Sequence, residues 1–519
     1  MMNDGKTPLP QQSEGKIETF GSPTQLQVFA AVAIFTFIGT LLFYGFIYSL
    51  HQDLAGGTLS GRLAVTLGEA FSDYSVYFPA VEKFWFSTAA HLSKLSGLRL
   101  DLTVVVMTNL MALFGVGLAC YVRRITVGCS TLFLITSASI LIILPIIFKN
   151  VFGLREHLVV LGLWPYLVLR FSDPEMTIVS PRLRIIIGLW MGMTLLFKYL
   201  YSIVVILVEC TDALIQRKLL LLFRAENILA GLIVFLYLFI WLGLDPAQRE
   251  VIGIMLNSID ANLASPTKNL FKLVEHIIPA VFLFVASFYC RVPKRLFALA
   301  VAVAAATLFA AWSQERWYSH HLFPITMAYI MWWWISAKQF RWYINLVLAL
   351  IIVMPIGNQL LKTRKYQKQN AELVRVLDEK ELSVAGKRVA ILTMHPSPYN
   401  QYLASHDALR WNPMMNNAYV SSELKPFDKK GVTGTPPPIV LDSSGSKMLH
   451  DQMLRLWEDM PPDVLILDHS DSWPLDHIEV DWLHIFSKDN RFQAFISNYR
   501  PILTHEGPHI TFTYYVRAH

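Results

Sequence analysis

Apolar residues in this 519-residue chain come in runs of roughly 15 to 24, each closed by a short basic cluster, and few folds accommodate that pattern. The runs lie at 26–50, 102–122, 125–148, 157–170, 185–197, 199–215, 228–244, 276–290, 296–312, 321–336 and 343–361, which predicts about eleven membrane spans. Several are shorter than the ~20 residues that cross hydrocarbon, so either the helices overrun their apolar cores or the bilayer is thinned locally. Composition agrees, since 54% of residues are apolar and 16% charged, where a soluble protein carries about 25% charge. A purely soluble protein is excluded. The fold class read from the sequence is mostly α, a polytopic membrane protein.

Basic residues set the orientation. Arg123 with Arg124, Arg182 with Arg184, Arg217 and Lys218 with Arg224, Arg291 with Lys294 and Arg295, and Lys338 with Arg341 fall on the same side as residues 1–25. The positive-inside rule makes that side the cytoplasm. Residues 1–25 are polar and hold Pro8, Pro10 and Pro23, so they read as a disordered cytoplasmic tail. The run at 26–50 is too long for the apolar part of a signal peptide and is expected to stay as an anchor. Cys120, Cys129, Cys210 and Cys290 all sit near ends assigned to the reducing side, which is an independent check on the topology. The net charge of +6 therefore belongs to topology, and no basic stripe interleaved with aromatics suggests nucleic acid as a partner. An odd number of spans puts everything after residue 361 on the outer face, the periplasm if the membrane is a bacterial inner membrane.

Two outer segments are large. In the first loop, 51–101, the stretch 76–95 reads as a helix laid on the bilayer surface, with Glu82, Lys83 and Lys94 beside its apolar face. A second interfacial helix is expected within 245–272. The tail, 362–519, opens with a charged helix at 362–381 and then alternates: strands at 388–393, 463–468 and 510–516, helices at 447–460 and 481–499. That predicts a small α/β domain, with 433–438 (TGTPPP) as a loop. The tail has no Walker A, GxGxxG, GxSxG or paired CxxC. Asp468 and His469, after a predicted strand, read as a structural strand end.

Ionisable residues at span ends carry the functional signal, because a charge beside hydrocarbon costs about 2.5 to 3.5 kcal/mol unless it is partnered or solvated. Four such clusters are expected at one membrane face: Glu69 and Asp73 in GEAFSDYSVYFPA; Arg155, Glu156 and His157 in NVFGLREHLVV; Lys198 and Tyr199 in LLFKYLYS; and Glu315, Arg316, His320 and His321 in WSQERWYSHHLFP. Asp73 is the preferred general base, since a carboxylate in a partly dry cleft is poised to take a proton from a hydroxyl. Asp53 and Glu69 are weaker alternatives. Lys198 suits a phosphate contact. Adjacent positions on a helix diverge, so one of the two histidines, His320, is preferred. No compact HExxH-like spacing points to a metal.

A first-loop acid, about a dozen spans, charged residues at later outer ends and an outer C-terminal domain together resemble the GT-C superfamily of membrane glycosyltransferases. The words SDYSVYFPA, FGLREHLVVLGLWPYLVL, FKYLYS and RWYSHHLFP look like a bacterial branch of it. The resemblance implies a sugar donor on a polyprenyl phosphate, delivered from the membrane lipids, and a glycan or lipid acceptor in the outer compartment. Asp73 would be the base of an inverting displacement. Lys198 and Arg316 would hold the lipid phosphate, Arg155, Glu156 and His157 would orient donor or acceptor, and Glu69, Tyr77, Tyr199 and His320 would complete the binding cleft. Many relatives carry two adjacent acids where this chain has Glu69 and Asp73 four apart, which leaves the base open between them. Metal use varies among such enzymes, so a divalent cation stays an open alternative and none is assigned. Two other readings compete: a lipid-linked glycan ligase or polymerase, and a polysaccharide or lipid transporter. The absence of an internal repeat counts against the transporter.

Overall fold

The structure, a computed structural model, describes residues 23–47, 49–68, 80–148, 151–173, 178–243, 266–314, 317–395, 397–412, 420, 424, 438–439, 441, 444–470 and 480–518. Residues 1–22 of the tail expected at 1–25, Glu69, Asp73, Tyr77, Glu315, Arg316, most of the TGTPPP loop and most of the second interfacial helix lie outside them, and residues 23–25 of that tail open a helix.

Every apolar run of the sequence falls on a helix. The bundle comprises α1 (Pro23–Leu42), α2 (Gln52–Leu67), α3 (Ala80–Ser96), α4 (Leu100–Val127), α5 (Thr131–Ile147), α6 (Arg155–Ser172), α7 (Pro181–Leu195), α8 (Ser202–Gln216), α9 (Ala225–Leu238), α10 (Pro266–Tyr289), α11 (Lys294–Trp312), α12 (Ser319–Ser336) and α13 (Trp342–Glu379). Several helices extend past their apolar runs, Leu100–Val127 against 102–122 and Pro266–Tyr289 against 276–290 among them. α7 begins at Ser180, whose Oγ accepts the Leu183 N–H, with Pro181 pre-set in the first turn. Among the described residues five stretches are long and apolar enough to cross a membrane: Gln27–Phe46, Leu100–Val127, Tyr199–Gln216, Asn269–Tyr289 and Lys294–Trp312. The others are shorter or carry charge. At 1.5 Å per residue, the 15 residues of α7 cover only about 22 Å.

α6 is the axis of the bundle. Nearly all of its side chains are buried, and it packs against α4, α7 and α12. It also has a charge at each end, Arg155 and Glu156 at its start and Arg170 near its finish. Arg170 is fully buried between Glu209 of α8 and Glu226 of α9. Glu209 also pairs with Arg224 (2.9 Å) and Glu226 with Arg184 (3.0 Å), while Asp212 takes Arg224 (3.1 Å) and Arg295 (2.7 Å). Arg123 reaches Ser172 and lies over the rings of Phe133 and Trp334. Arginines that the sequence offers as topology signals are thus also partners, and they clamp the end of the bundle opposite the tail.

Among its described residues the first loop holds a second helix besides the expected one. α2 is hidden in the sequence because Gly56, Gly57 and Gly61 depress its helix propensity. The packing requires two of them, since a Cβ at Gly61 would lie 2.4 Å from the Phe86 backbone and one at Gly57 2.5 Å from its ring. α3 covers most of the expected stretch and leaves Phe84, Leu92 and Leu95 exposed.

The tail holds a five-stranded mixed sheet in the order β2-β1-β3-β5-β4: β1 (Arg388–Leu392), β2 (Leu409–Arg410), β3 (Val464–Asp468), β4 (Tyr499–Glu506) and β5 (Thr511–Arg517). β1, β2 and β3 are parallel and β5 and β4 antiparallel. Among the described residues its helices are α14 (Tyr399–Ser405), α15 (Ser444–Asp459), α16 (Trp482–Ile485) and α17 (Asn490–Ile496). The single helix expected at 481–499 is broken, because Asp489 caps a new helix by accepting the N–H groups of Arg491 and Phe492. β4 escaped the pattern for a different reason. It contains Pro501, which a strand tolerates at a sheet edge, and an edge is where it lies.

The tail is joined to the bundle through α2. Arg62 pairs with Asp407 (3.0 Å), Asn400 donates to the Gln52 carbonyl (3.5 Å), and Leu63 and Ala64 enter the same apolar cluster as Trp411 and Leu465. Farther along, Glu372 of α13 meets His505 (2.9 Å).

Candidate functional site

The tail-bearing end of the bundle gathers side chains from five separate stretches of sequence. α6 begins there, α7 ends there, α12 begins there, and α2 and α3 close one side. Glu156, 1% exposed, is ion-paired with the Lys198 ammonium, and the His321 Nε2 lies 3.6 Å from the same carboxylate. Arg155 reaches Glu82 of α3 at 3.4 Å. Burial pushes the Glu82 carboxyl up, against the pull of Arg155. The His320 and His321 rings are 4.4 Å apart at 87°, and the His51 ring is 6.1 Å from that of His320.

Four of the residues singled out from the sequence therefore meet: Arg155, Glu156, Lys198 and His320. Two do not. His157 is fully buried, but its Nδ1 accepts the Gly153 N–H (2.9 Å) and its Nε2 faces the Leu141 carbonyl (2.7 Å), with Phe152 and Phe323 beside the ring. One residue past Glu156 it is turned about 100° around α6, so it fastens the helix start to α5 instead of facing the cluster. Tyr199 is 44% exposed, and Tyr201 is the tyrosine that turns inward, fully buried and within electrostatic range of Glu156. Glu69, Asp73, Tyr77 and Arg316 lie outside the described residues.

Sequence reasoning passed over His321, His51 and Glu82. His321 was set aside because neighbours diverge on a helix, yet both histidines sit in the first turn of α12, and both reach the Glu156 neighbourhood. His51 looked like a loop residue. In the structure its Nδ1 accepts the Asp53 N–H (3.2 Å) and caps α2, which the glycines had concealed.

The cluster can do two things chemically. Lys198 and Arg155 bring cations to a partly dry rim, each held by a carboxylate in a way that an incoming anion could replace. Two donor sets can also hold a cation: the ligand atoms of Glu156, His320 and His321 lie within 4.8 Å of one another, as do those of His51, Asp53 and His320. In the tail, Asp468 accepts bonds from Thr393 Oγ1 (2.7 Å), Tyr399 Oη (2.9 Å) and the Ser470 N–H (3.1 Å), and burial raises its carboxyl above the ordinary range. That is the strand-end anchor expected of it. No family model matches the chain, and no curated protein matches it.

Proposed function

We propose that this chain is an inverting membrane glycosyltransferase of the GT-C kind, which moves a sugar from a polyprenyl-phosphate donor to an acceptor hydroxyl on the tail-bearing face of the membrane. The observation that supports it is the meeting of Arg155, Glu156, Lys198 and His320, drawn from three apolar runs, at the end of the bundle that holds the tail. In this reading α1 and α4 to α13 all cross the bilayer, and the short helices do so where it is thinned. The tail then lies in the periplasm of a bacterial cell and docks the acceptor glycan or lipid.

The reaction is a single displacement. The acceptor oxygen attacks the anomeric carbon, Asp73 takes its proton, and the bond to phosphate oxygen breaks with its electron pair leaving on the lipid phosphate. Lys198 and Arg316 stabilise the charge that develops there, and Arg155 and Glu156 orient the sugar. No nucleotide is needed, in keeping with a tail that lacks nucleotide motifs.

The test is turnover by purified protein in liposomes with a panel of polyprenyl-phosphate sugars. Asp73→Asn should lower the rate by about 10²- to 10⁴-fold while the protein still folds. Full activity of Asp73→Asn would transfer the reading to a ligase, and substrate movement across the bilayer without transfer would replace it with a transporter.

A further inference from the structure

A second property of the same cluster does not depend on sugar transfer. Zinc bound tetrahedrally, with bonds of about 2.0 to 2.1 Å, holds its ligand atoms about 3.4 Å apart. His321 Nε2 and Glu156 Oε1 are 3.6 Å apart, so one edge of such a tetrahedron is already in place, and the three-residue set lies within 4.8 Å. All three side chains are buried, and they are carried by α6 and α12, two helices packed directly on each other. The alternative set is chemically weaker. His51 accepts the Asp53 N–H on Nδ1, which leaves the proton of a neutral imidazole on Nε2, where it donates and cannot ligate.

We propose that Glu156, His320 and His321 form a site for one divalent transition-metal ion of the zinc class, whose binding displaces the Lys198 ammonium from Glu156. Two imidazoles and a carboxylate with a fourth position open to water are the donor set of many zinc enzymes, whereas magnesium and calcium require oxygen ligands. In the structure Lys198 is the positive partner that faces the buried Glu156 carboxylate. Metal entry replaces one positive partner with another and frees Lys198 beside Arg155. Only the use of that freed ammonium, as a phosphate contact, rests on the glycosyltransferase reading.

Full-length protein in detergent, stripped with chelator, would be titrated with zinc alone by calorimetry and with cobalt alone by visible absorption, which reports tetrahedral ligation. The expected result is one equivalent bound by wild type, loss of that equivalent in Glu156→Gln and in His321→Ala, and no change in the surface variant His484→Ala. Lys198→Met removes the competitor and should tighten binding about tenfold. If Glu156→Gln does not fold, His321→Ala and Lys198→Met carry the test. Absence of stoichiometric metal in wild type overturns the proposal, as does binding that both of those variants leave unchanged.

Discussion

Glu226 offers the sharpest probe of the buried charge at the far end of the bundle. It is 0% exposed and lies between Arg170, also 0% exposed, and Arg184. Among the described residues the linked groups are Arg170, Arg184, Arg224 and Arg295 against Glu209, Asp212 and Glu226, four positive and three negative, a balance of +1. Glu226→Gln raises it to +2 where water is scarce. Removing one partner of a buried pair costs about 3 to 5 kcal/mol, and the retained amide oxygen places this case near the lower figure. At about 2.1 cal/mol/K of unfolding entropy per residue the 519-residue chain shifts by roughly 1 °C per kcal/mol, so thermal unfolding in detergent should begin about 3 °C lower. Arg184→Met is the companion variant: its side chain is 19% exposed, so its loss should cost about 1 kcal/mol. The double variant should recover part of the Glu226→Gln loss, since it restores the balance to +1. A Glu226→Gln protein that melts within about 1 °C of wild type would refute the claim that these ion pairs hold the bundle end together.

Two further outcomes follow from the geometry. His157→Ala leaves the Gly153 N–H and the Leu141 carbonyl without the ring that joins them, so it should destabilise the bundle by about 2 to 4 kcal/mol, read by denaturation, while the folded fraction keeps wild-type metal binding. The tail should also weaken in acid. Burial opposes ionisation of Asp463, but Arg388 outweighs it through side-chain and backbone N–H bonds and holds the carboxyl below its ordinary range; His450 does the same for Asp489, against burial. A depressed carboxyl contributes stability that is present above its unfolded value of about 3.9 and lost as pH falls through the folded one. Asp468 works in the opposite sense, because its raised value makes protonation favour the fold just above pH ~3.9. Hydrogen exchange across Arg388–Leu392 and Val464–Asp468 should therefore speed up below about pH 4, and Asp463→Asn should flatten that dependence.

The sequence showed helices best where apolar runs were long, because burial or lipid contact decides those segments irrespective of neighbours. α4, α11 and the three strands β1, β3 and β5 stand within a few residues of where the pattern put them. α2 was invisible because its glycines serve a close approach to Phe86 that only the folded chain reveals. The site was legible as residue types at span ends: Glu156, Lys198 and His320 announce themselves as charges next to hydrocarbon. Direction was not legible. His157 and Tyr199 belong to the same words, but rotation about the helix axis turns one into the packing and the other outward. The acids Glu209, Asp212 and Glu226 were overlooked for a related reason, since the first two sit inside an apolar run and the third just before one, and each gains meaning only from arginines elsewhere in the bundle.

α13 runs without interruption from Trp342 to Glu379, and its last turns, through Leu373, Val376 and Leu377, are buried in the apolar core that also takes in Val389 and Ile391 of the sheet. Cutting the chain near residue 361 would thus divide one rigid rod and strip cover from Leu63, Ala64 and the Arg62 guanidinium. Neither fragment should be handled as a free-standing piece. The sheet and the start of α2, where His51 stands, are thus parts of a single continuous scaffold.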